Sequence, residues 1–464
     1  MNIYIMKGMR KLSEHKPFNY VVVEELVGDI KNLGLDLPLS NNLEIFKRQL
    51  VVGDKVLQNR IVIQPMEGCD GTTTGAPSEL TQRRYERFAQ SGAGLAWFEA
   101  TAIVQEGRAN PRQLLINEEN KEALAKLLKD YYKTAQREFG SQHKPYTILQ
   151  LTHSGRYSKP EGQAAPIVAA KNPYLDKVQE VKIISDSELE QLEERYVEAA
   201  VIAADIGFDA VDLKSCHGYL LAELLGAHTR EGIYGGAFEN RTRFLCNIVD
   251  KVKAKVGHRI QIAVRMNAYD AVPHPYGWGV TVTNHHIPDL TEPKRLAQIL
   301  QDKGVSILNV TVGNPYYNPH VNRPFDNGQY IPPIHPLIGT QSILAIARDI
   351  QAAAPKLKVV ASGLSWLRQY GTQVGAGCME NNWFPLVGFG RQAFAYPTFA
   401  RDILEKGEMD GKKVCLACSK CSAIMRYGGT TGCVIRDAKV YVPIYRDARE
   451  GKPPFETGKV GEHV

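Results

Sequence analysis

The sequence predicts an α/β fold, a (β/α)8 TIM barrel followed by a C-terminal cysteine module, on three observations. Apolar, β-rich runs alternate with helical patterns eight times from about residue 60 to residue 405, as expected for strands buried on both faces of a parallel sheet. The first run ends in Gln64-Pro65-Met66-Glu67-Gly68, without the G-x-G-x-x-G turn of a doubly wound dinucleotide fold. Beyond the last run, Cys415, Cys418, Cys421 and Cys433 are spaced C-x2-C-x2-C-x11-C.

In chain order, residues 1–43 form an extension with no legible chemistry. The barrel is expected over 44–405. It opens with a hairpin at 44–59, turned at Gly53-Asp54 and plugging the barrel bottom. The expected strands are 60–66, 94–100, 146–152, 208–214, 260–266, 305–312, 357–361 and 383–388. The clearest helix starts at residue 186: Asp186 or Ser187 can cap it, acids fill its first turn, and Gly207 closes it. The cysteine module is expected over 406–445 and an extended polar tail over 446–464.

With 44% hydrophobic and 23% charged residues, the composition is that of an ordinary globular protein. The 56 basic and 50 acidic residues mix along the chain, so the net charge of +6 leaves no nucleic-acid footprint. No apolar run is long enough to span a bilayer, and the N-terminus lacks a signal-peptide cleavage pattern. A cytoplasmic location is expected, which suits thiols that must stay reduced. Cys69, Cys216, Cys246 and Cys378 are scattered and read as small buried hydrophobes.

A close cysteine triplet plus one remote thiolate is how a chain wraps a [4Fe–4S] cluster. Structural zinc prefers two separated pairs, and no second pair exists here. Zinc and unliganded thiols remain the alternatives. A cluster implies one-electron traffic and therefore a second redox centre nearby.

Barrel enzymes work at the C-terminal ends of their strands. Here those ends carry Pro65-Met66-Glu67, Gln150 with His153, then Lys214, Cys216, His217 and Tyr219, then Arg265, Ser362-Gly363 and Gly390-Arg391. Glycines after strands seven and eight suit a phosphate held by backbone N–H groups.

The segments QLTHSGR, DLKSCHGYLLAELL with YGGAFENRTRF, and VGFGRQAFAYP resemble the motifs of the old yellow enzyme family over about residues 45–400. The cysteines make the chain resemble its iron–sulfur branch, that of 2,4-dienoyl-CoA reductase and trimethylamine dehydrogenase. The resemblance implies FMN above the barrel against Pro65, Met66 and Glu67. It implies Gln150 at the pyrimidine edge, Arg265 beside the N1/O2 edge, and the phosphate on Gly363, Leu364, Gly390 and Arg391. Tyr219 falls at the family's proton-donor position and His217 at its substrate-binding position. Lys214 replaces the usual His or Asn, and could polarise a carbonyl, pair with Glu67 or Glu99, or hold an anionic substrate. Glu67 stands where the amine dehydrogenase carries its flavin-linked cysteine, so a non-covalent FMN is expected.

The expected function is reduction of an activated C=C bond (enoate, enone or enoyl thioester) by an ene-reductase, with electrons passing through the cluster and Cys415, Cys418, Cys421 and Cys433 as its ligands. NADH, NADPH or a separate electron-donor flavoprotein would supply them, because the branch's C-terminal nucleotide-binding domains have no counterpart here. The assembly is expected to be a homo-oligomer. An amine dehydrogenase or demethylase is the runner-up, with Trp278, Tyr316 and Tyr317 as candidates for an aromatic cage. An electron-transfer subunit is the third reading.

Overall fold

The computed structural model describes residues 14–176 and 180–452. A short antiparallel hairpin, β1 (Leu50–Val52) and β2 (Lys55–Leu57), precedes the barrel strand β3 (Ile61–Ile63). Then come β4 (Leu95–Ala102) and β5 (Tyr146–Thr152), and a small parallel patch of β6 (Ile167–Val168) and β7 (Lys182–Ile183) in the following loop. The barrel continues with β8 (Ala210–Ser215), β9 (Gln261–Tyr269), β10 (Ile307–Val312), β11 (Lys358–Ala361) and β12 (Leu386–Phe389). The eight parallel strands close in the order β3-β4-β5-β8-β9-β10-β11-β12, with β12 paired back onto β3.

Each expected run carries a barrel strand. The first and last are shorter than expected, and proline explains both. Pro65 has no N–H to extend the ladder of β3, and Pro385 delays pairing of β12 until Leu386. The patch of β6 and β7 was not anticipated, because two-residue strands leave no periodic signal.

The hairpin is confined to residues 50–57; Leu43–Lys47, expected to belong to it, form a 3-10 turn. Val52 and Leu57 are buried in one cluster with Val62, Leu95, Ile148, Ala263, Ile307 and Val360, which seals the barrel floor with apolar side chains. Above this layer the interior turns polar. Asn309 Nδ2 donates to Gln64 Oε1 at 2.7 Å across the barrel, and Asp212 gathers donors from three other strands.

The helix Asp186–Ile206 is capped by Ser185, one residue before Asp186 and two before Ser187, the expected caps. Ser185 Oγ accepts from Glu188 N at 3.2 Å, and the Glu188 carboxylate accepts from Ser185 N at 2.8 Å. Asp186 is unavailable for capping, since it holds Arg230 at 2.6 Å and Ile233 N at 2.8 Å. Gly207 closes the helix with φ +102°, as expected.

The described part of the N-terminal extension is a buttress. Phe18 and Tyr20 meet Trp366 edge-on, and Asp326 accepts from both Phe18 N and Trp366 Nε1. The extension thereby braces the loop that follows β11.

At the other end, helices Lys420–Arg426 and Ala438–Arg449 frame the cysteine segment. The second helix runs across residue 446, where an extended tail was expected. Residues 1–13 of the extension and 453–464 of the tail lie outside the described residues. Among the described residues no helix is long and apolar enough to cross a membrane.

The loop after β3 is fixed by a buried ion network. Arg84, 2% exposed, donates to both oxygens of Asp70 at 2.8 and 2.9 Å, pairs with Glu99, and reaches Met66 O at 3.3 Å. Glu99 in turn accepts from Gly68 N at 2.8 Å. The cysteine segment docks on this loop and on the helix Glu79–Ala89 that follows it, with Thr431 N donating to Gly68 O at 2.6 Å and Arg83 of that helix forking onto Asp437 at 2.8 and 2.9 Å. Arg84→Met leaves two carboxylates buried without their cation and should cost about 3–5 kcal/mol, read as a fall in the urea midpoint.

Candidate active site

The sequence-predicted residues converge on the mouth of the barrel. β8 ends at Ser215, and the chain then reverses through two left-handed residues, His217 (φ +64°) and Gly218 (φ +72°). A histidine in that region is strained, and such strain persists only where surrounding structure enforces it. The reversal places Tyr219 at the start of the helix Leu220–Leu225, whose first N–H reaches His153 O at 3.2 Å. The Tyr219 hydroxyl lies 3.1 Å from that of Tyr316, and Tyr316 stacks on Tyr157 with centroids 3.7 Å apart.

Burial, with Tyr316 and Glu67 adding to it, pushes the Tyr219 phenol well above its ordinary range. It therefore stays protonated and can act only as a proton donor. His217 is driven the other way, by burial first and then by the charges of Arg265, Lys214 and Arg323. Its imidazole is neutral, and its Nε2 is buried without a protein partner.

Lys214, 4% exposed, places its Nζ 3.7 Å from the centroid of the Tyr219 ring. Burial pulls its ammonium below the ordinary range. Neither expected carboxylate pairs with it. Glu99 is held by Arg84 and Gly68, while Glu67, raised by burial, accepts from Asn110 Nδ2 at 3.1 Å.

Beneath these groups sits a residue that sequence reasoning missed. Asp212 accepts from Trp97 Nε1 (2.8 Å), Gln150 Nε2 (2.6 Å) and Arg265 N (2.6 Å), which belong to β4, β5 and β9. Burial raises its carboxyl to about 6. The available signal was an acid in the middle of an otherwise apolar strand, two residues before Lys214 and so on the same face.

Around the rim, a Cβ on Gly390 would lie 2.7 Å from Met66 Sδ, so the end of β12 stands in close contact with the Met66 side chain of the loop after β3. Gly363 is left-handed (φ +98°). The Leu364 side chain is 1% exposed in the core, which leaves only its backbone for a ligand. Arg391 donates through Nη2 to Pro324 O at 2.9 Å, while its Nη1 is buried without a partner.

Arg323 was also missed. Its Nε is buried and unpartnered, and burial together with the charge of Arg391 pulls it to about 10. A lone arginine in HVNRPF gives no sequence signal. Of the suggested cage residues, Tyr316 joins Tyr219. Trp278 is tied by Nε1 to Asn267 O at 2.9 Å, and Tyr317 is 37% exposed.

The four module cysteines line one recess of about 370 Å³, open at its mouth, together with Arg391, Phe394 and Arg436. Gln392 Oε1 accepts from Cys415 N at 3.0 Å, Ala417 N donates to Cys415 Sγ at 3.4 Å, and Arg436 N to Cys433 Sγ at 3.3 Å. Ala417 and Ser419, between the first three cysteines, are both left-handed (φ +50° and +58°). As the side chains stand, however, no group of three or more His, Cys, Asp or Glu among the described residues is arranged to hold a metal ion. The expected metal centre is therefore not established by the fold.

The fold and this mouth define a flavin-binding barrel of the oxidoreductase class. The family model described as NADH:flavin oxidoreductase / NADH oxidase matches residues 44–303, more than half of the chain, and the chain belongs to that family. It is 29% identical to the NADPH dehydrogenase of Bacillus cytotoxicus over 278 residues, 59% of this chain and 72% of the relative. It is 28% identical to the NADH oxidase of Thermoanaerobacter brockii over 270 residues, 56% of this chain but 38% of the relative. Among solved structures, a 2-naphthoyl-CoA reductase in complex with 2-naphthoyl-CoA shares the fold at TM-score 0.69 and 18% identity, covering 89% of this chain and 58% of that one. The chain thus spans well under two thirds of the last two. Old yellow enzymes share the fold as well.

His153, from the segment QLTHSGR, supports the mouth. Its Nδ1 accepts from Gly155 N at 3.1 Å, and burial lowers it to about 4. Because its folded value lies below the unfolded one, the stability it contributes is complete above pH 6.5 and is lost as pH falls towards 4. Half-buried His228 and buried His335, also lowered to about 4, act in the same direction. The unfolding free energy from urea titration should fall across this window by at most about 3 kcal/mol for His153, with a shallower slope in His153→Asn.

Proposed function

We propose that the chain is an FMN-dependent ene-reductase that reduces an activated C=C bond with electrons from NADH or NADPH. One observation carries the reading. Three buried guanidinium N–H groups at the barrel mouth, at Arg265 Nε, Arg323 Nε and Arg391 Nη1, and the buried ring nitrogen His217 Nε2 lack protein partners in a region that also holds a protonated phenol. Buried donors without acceptors are costly and call for a ligand with several acceptors.

FMN fits these residues. Arg391 and Arg323, with the backbone of Gly363, Leu364 and Gly390, would hold the phosphate. Gln150, oriented by Asp212, would meet the pyrimidine edge, Arg265 the N1/O2 edge, and the Pro65–Glu67 backbone the ring. When bound, FMN supplies hydride, taken from NAD(P)H, to one alkene carbon. Tyr219 gives its proton to the other carbon, and the Tyr316 hydroxyl 3.1 Å behind it leads protons back. His217 and Lys214 bind and polarise the activating group.

The cysteine segment, residues 406–445, is proposed as a [4Fe–4S] module held by Cys415, Cys418, Cys421 and Cys433. Support comes from the recess that all four line, from the backbone N–H groups aimed at Cys415 and Cys433, and from the left-handed residues between them. Such a cluster would supply one-electron transfer, with a separate donor protein as a possible source. The Tyr157–Tyr316–Tyr219 group is the observation that favours an amine substrate instead. It ranks second because Lys214 already covers the Tyr219 ring with a cation.

Tyr219→Phe should slow reoxidation of reduced flavin by an alkene by roughly 10²–10⁴ while its reduction by NAD(P)H stays near wild type. Equal losses in both half-reactions would remove Tyr219 from proton transfer. Arg323→Met should weaken FMN binding to the apoprotein about tenfold or more and leave riboflavin binding unchanged. Anaerobically purified protein should carry about four iron atoms and as many acid-labile sulfides per chain; zinc without iron would rule the cluster out.

A further inference from the structure

The N-terminal extension lies outside the residues matched by the family model, which begins at residue 44, yet part of it is built into the rim of the barrel mouth. The helix Val23–Asn32 is anchored by the buried side chains Leu26 and Ile30. The residues ahead of it pack on the loop after β11. Phe18 meets Trp366 edge-on with centroids 5.6 Å apart and stacks on Tyr370 at 6.2 Å, and the Arg368 guanidinium lies 4.3 Å from the centroid of the Phe18 ring. The Tyr370 hydroxyl donates to Val21 O at 2.7 Å. Asp326, 8% exposed, then ties this pair to the loop after β10. Its Oδ1 accepts from Phe18 N at 3.0 Å and from Trp366 Nε1, and its Oδ2 accepts from Arg368 Nη2 at 3.3 Å. Three stretches distant in sequence thus meet on one buried carboxylate, and each donor removed leaves a charged acceptor less satisfied.

The two loops joined in this way carry the two sides of the proposed phosphate cradle. Asp326 stands three residues after Arg323 and two after Pro324, whose carbonyl accepts from Arg391 Nη2 at 2.9 Å. Trp366 stands three residues after the left-handed Gly363. Arg368 in the same loop is also left-handed, at φ +51°, and a residue other than glycine keeps that conformation only where its surroundings enforce it. Phe18 on its guanidinium and Asp326 at its Nη2 provide that enforcement.

We infer that the N-terminal extension is a remote part of the cofactor site: Phe18, through Asp326, fixes the Arg323 side of the cradle against the Gly363 side and thereby sets the affinity for the FMN phosphate. This rests on the FMN reading above. Phe18 and Asp326 are positioning residues that act through the two loops. A phosphate gripped from both loops needs their donors at the right distance and angle, because hydrogen bonds weaken steeply away from their preferred geometry. Loops already held in place spare the ligand the ordering that would otherwise weaken its binding. The coupling is reciprocal: a segment that strengthens FMN binding must itself be held more firmly when FMN is bound. Riboflavin, which has the same ring and no phosphate, should be indifferent to the extension.

The test titrates full-length apoprotein with FMN and with riboflavin, reading dissociation constants from flavin fluorescence for wild type, Phe18→Ala, Asp326→Ala and Asp326→Asn. Phe18→Ala and Asp326→Ala should each weaken FMN roughly tenfold while riboflavin stays within about twofold. Asp326→Asn keeps the Oδ1 acceptor and should retain most of the FMN affinity. Variants that lose stability to urea but hold FMN within about twofold of wild type would make the extension a brace alone and overturn the inference, and so would equal weakening of both flavins. A second measurement needs no variant: in wild type, FMN should slow amide hydrogen exchange in the peptide containing Phe18 about tenfold more than riboflavin does. Identical exchange with the two flavins overturns the inference whether or not the variants fold. Failure of the cofactor reading is a separate result, in which wild-type apoprotein binds neither flavin.

Discussion

The architecture of the mouth depends on one buried carboxylate. Asp212 takes hydrogen bonds from three other strands, and with its own strand it ties β4, β5, β8 and β9 together at the height where the apolar interior gives way to polar groups. It fixes the amide of Gln150 and, through a backbone N–H, the height of Arg265. Gln150 is opposite Asp212 in register, Lys214 is two residues along its strand, and Arg265 is opposite Lys214. An acid buried this deeply is tolerated because three donors converge on it. Apolar packing alone could close a barrel here, but it could not aim these side chains.

The rim above is organised by the opposite sign. Lys214, Arg265, Arg323 and Arg391 are cations set into the mouth, and none of them forms an ion pair among the described residues. Elsewhere the protein pairs its buried charges closely, as Arg84 with Asp70 and Glu99, or Arg156 with Asp176 and Glu223. The contrast separates charge used for holding the fold from charge kept open for ligands. It also explains why the neutral imidazole and protonated phenol persist beside these cations: burial dominates both.

Much of this could be read from the residues. The eight strands were legible because each is a continuous apolar run, and the end residues Gln150, Lys214, His217, Tyr219 and Arg265 followed from where those runs stop. Boundaries failed where local chemistry overrode pattern: at Pro65 and Pro385, and at Ser185, which caps because Asp186 is engaged with Arg230. The unoccupied partners of Lys214 were illegible, since sequence placed Glu67 and Glu99 near it without revealing that Asn110 and Arg84 claim them. Arg323 and Asp212 were missed for a related reason: their roles come from neighbours hundreds or tens of residues away, and nothing periodic marks them.

The pairing of β12 with β3 joins Val387 to Ile61, so the sheet cannot become a cylinder until nearly all of it has been synthesised. Contacts so distant in sequence are slow to form and leave two open sheet edges on the growing chain. The cysteine segment follows β12 after two short helices, Arg391–Ala395 and Phe399–Lys406, and rests on the loop after β3 through Gly68 and on the next helix through Arg83 and Asp437. Its docking ground is therefore assembled by the same event that closes the cylinder. Biogenesis is thereby ordered by geometry: the four module thiols leave the ribosome after β12, the strand whose pairing with β3 completes the surface that shelters them.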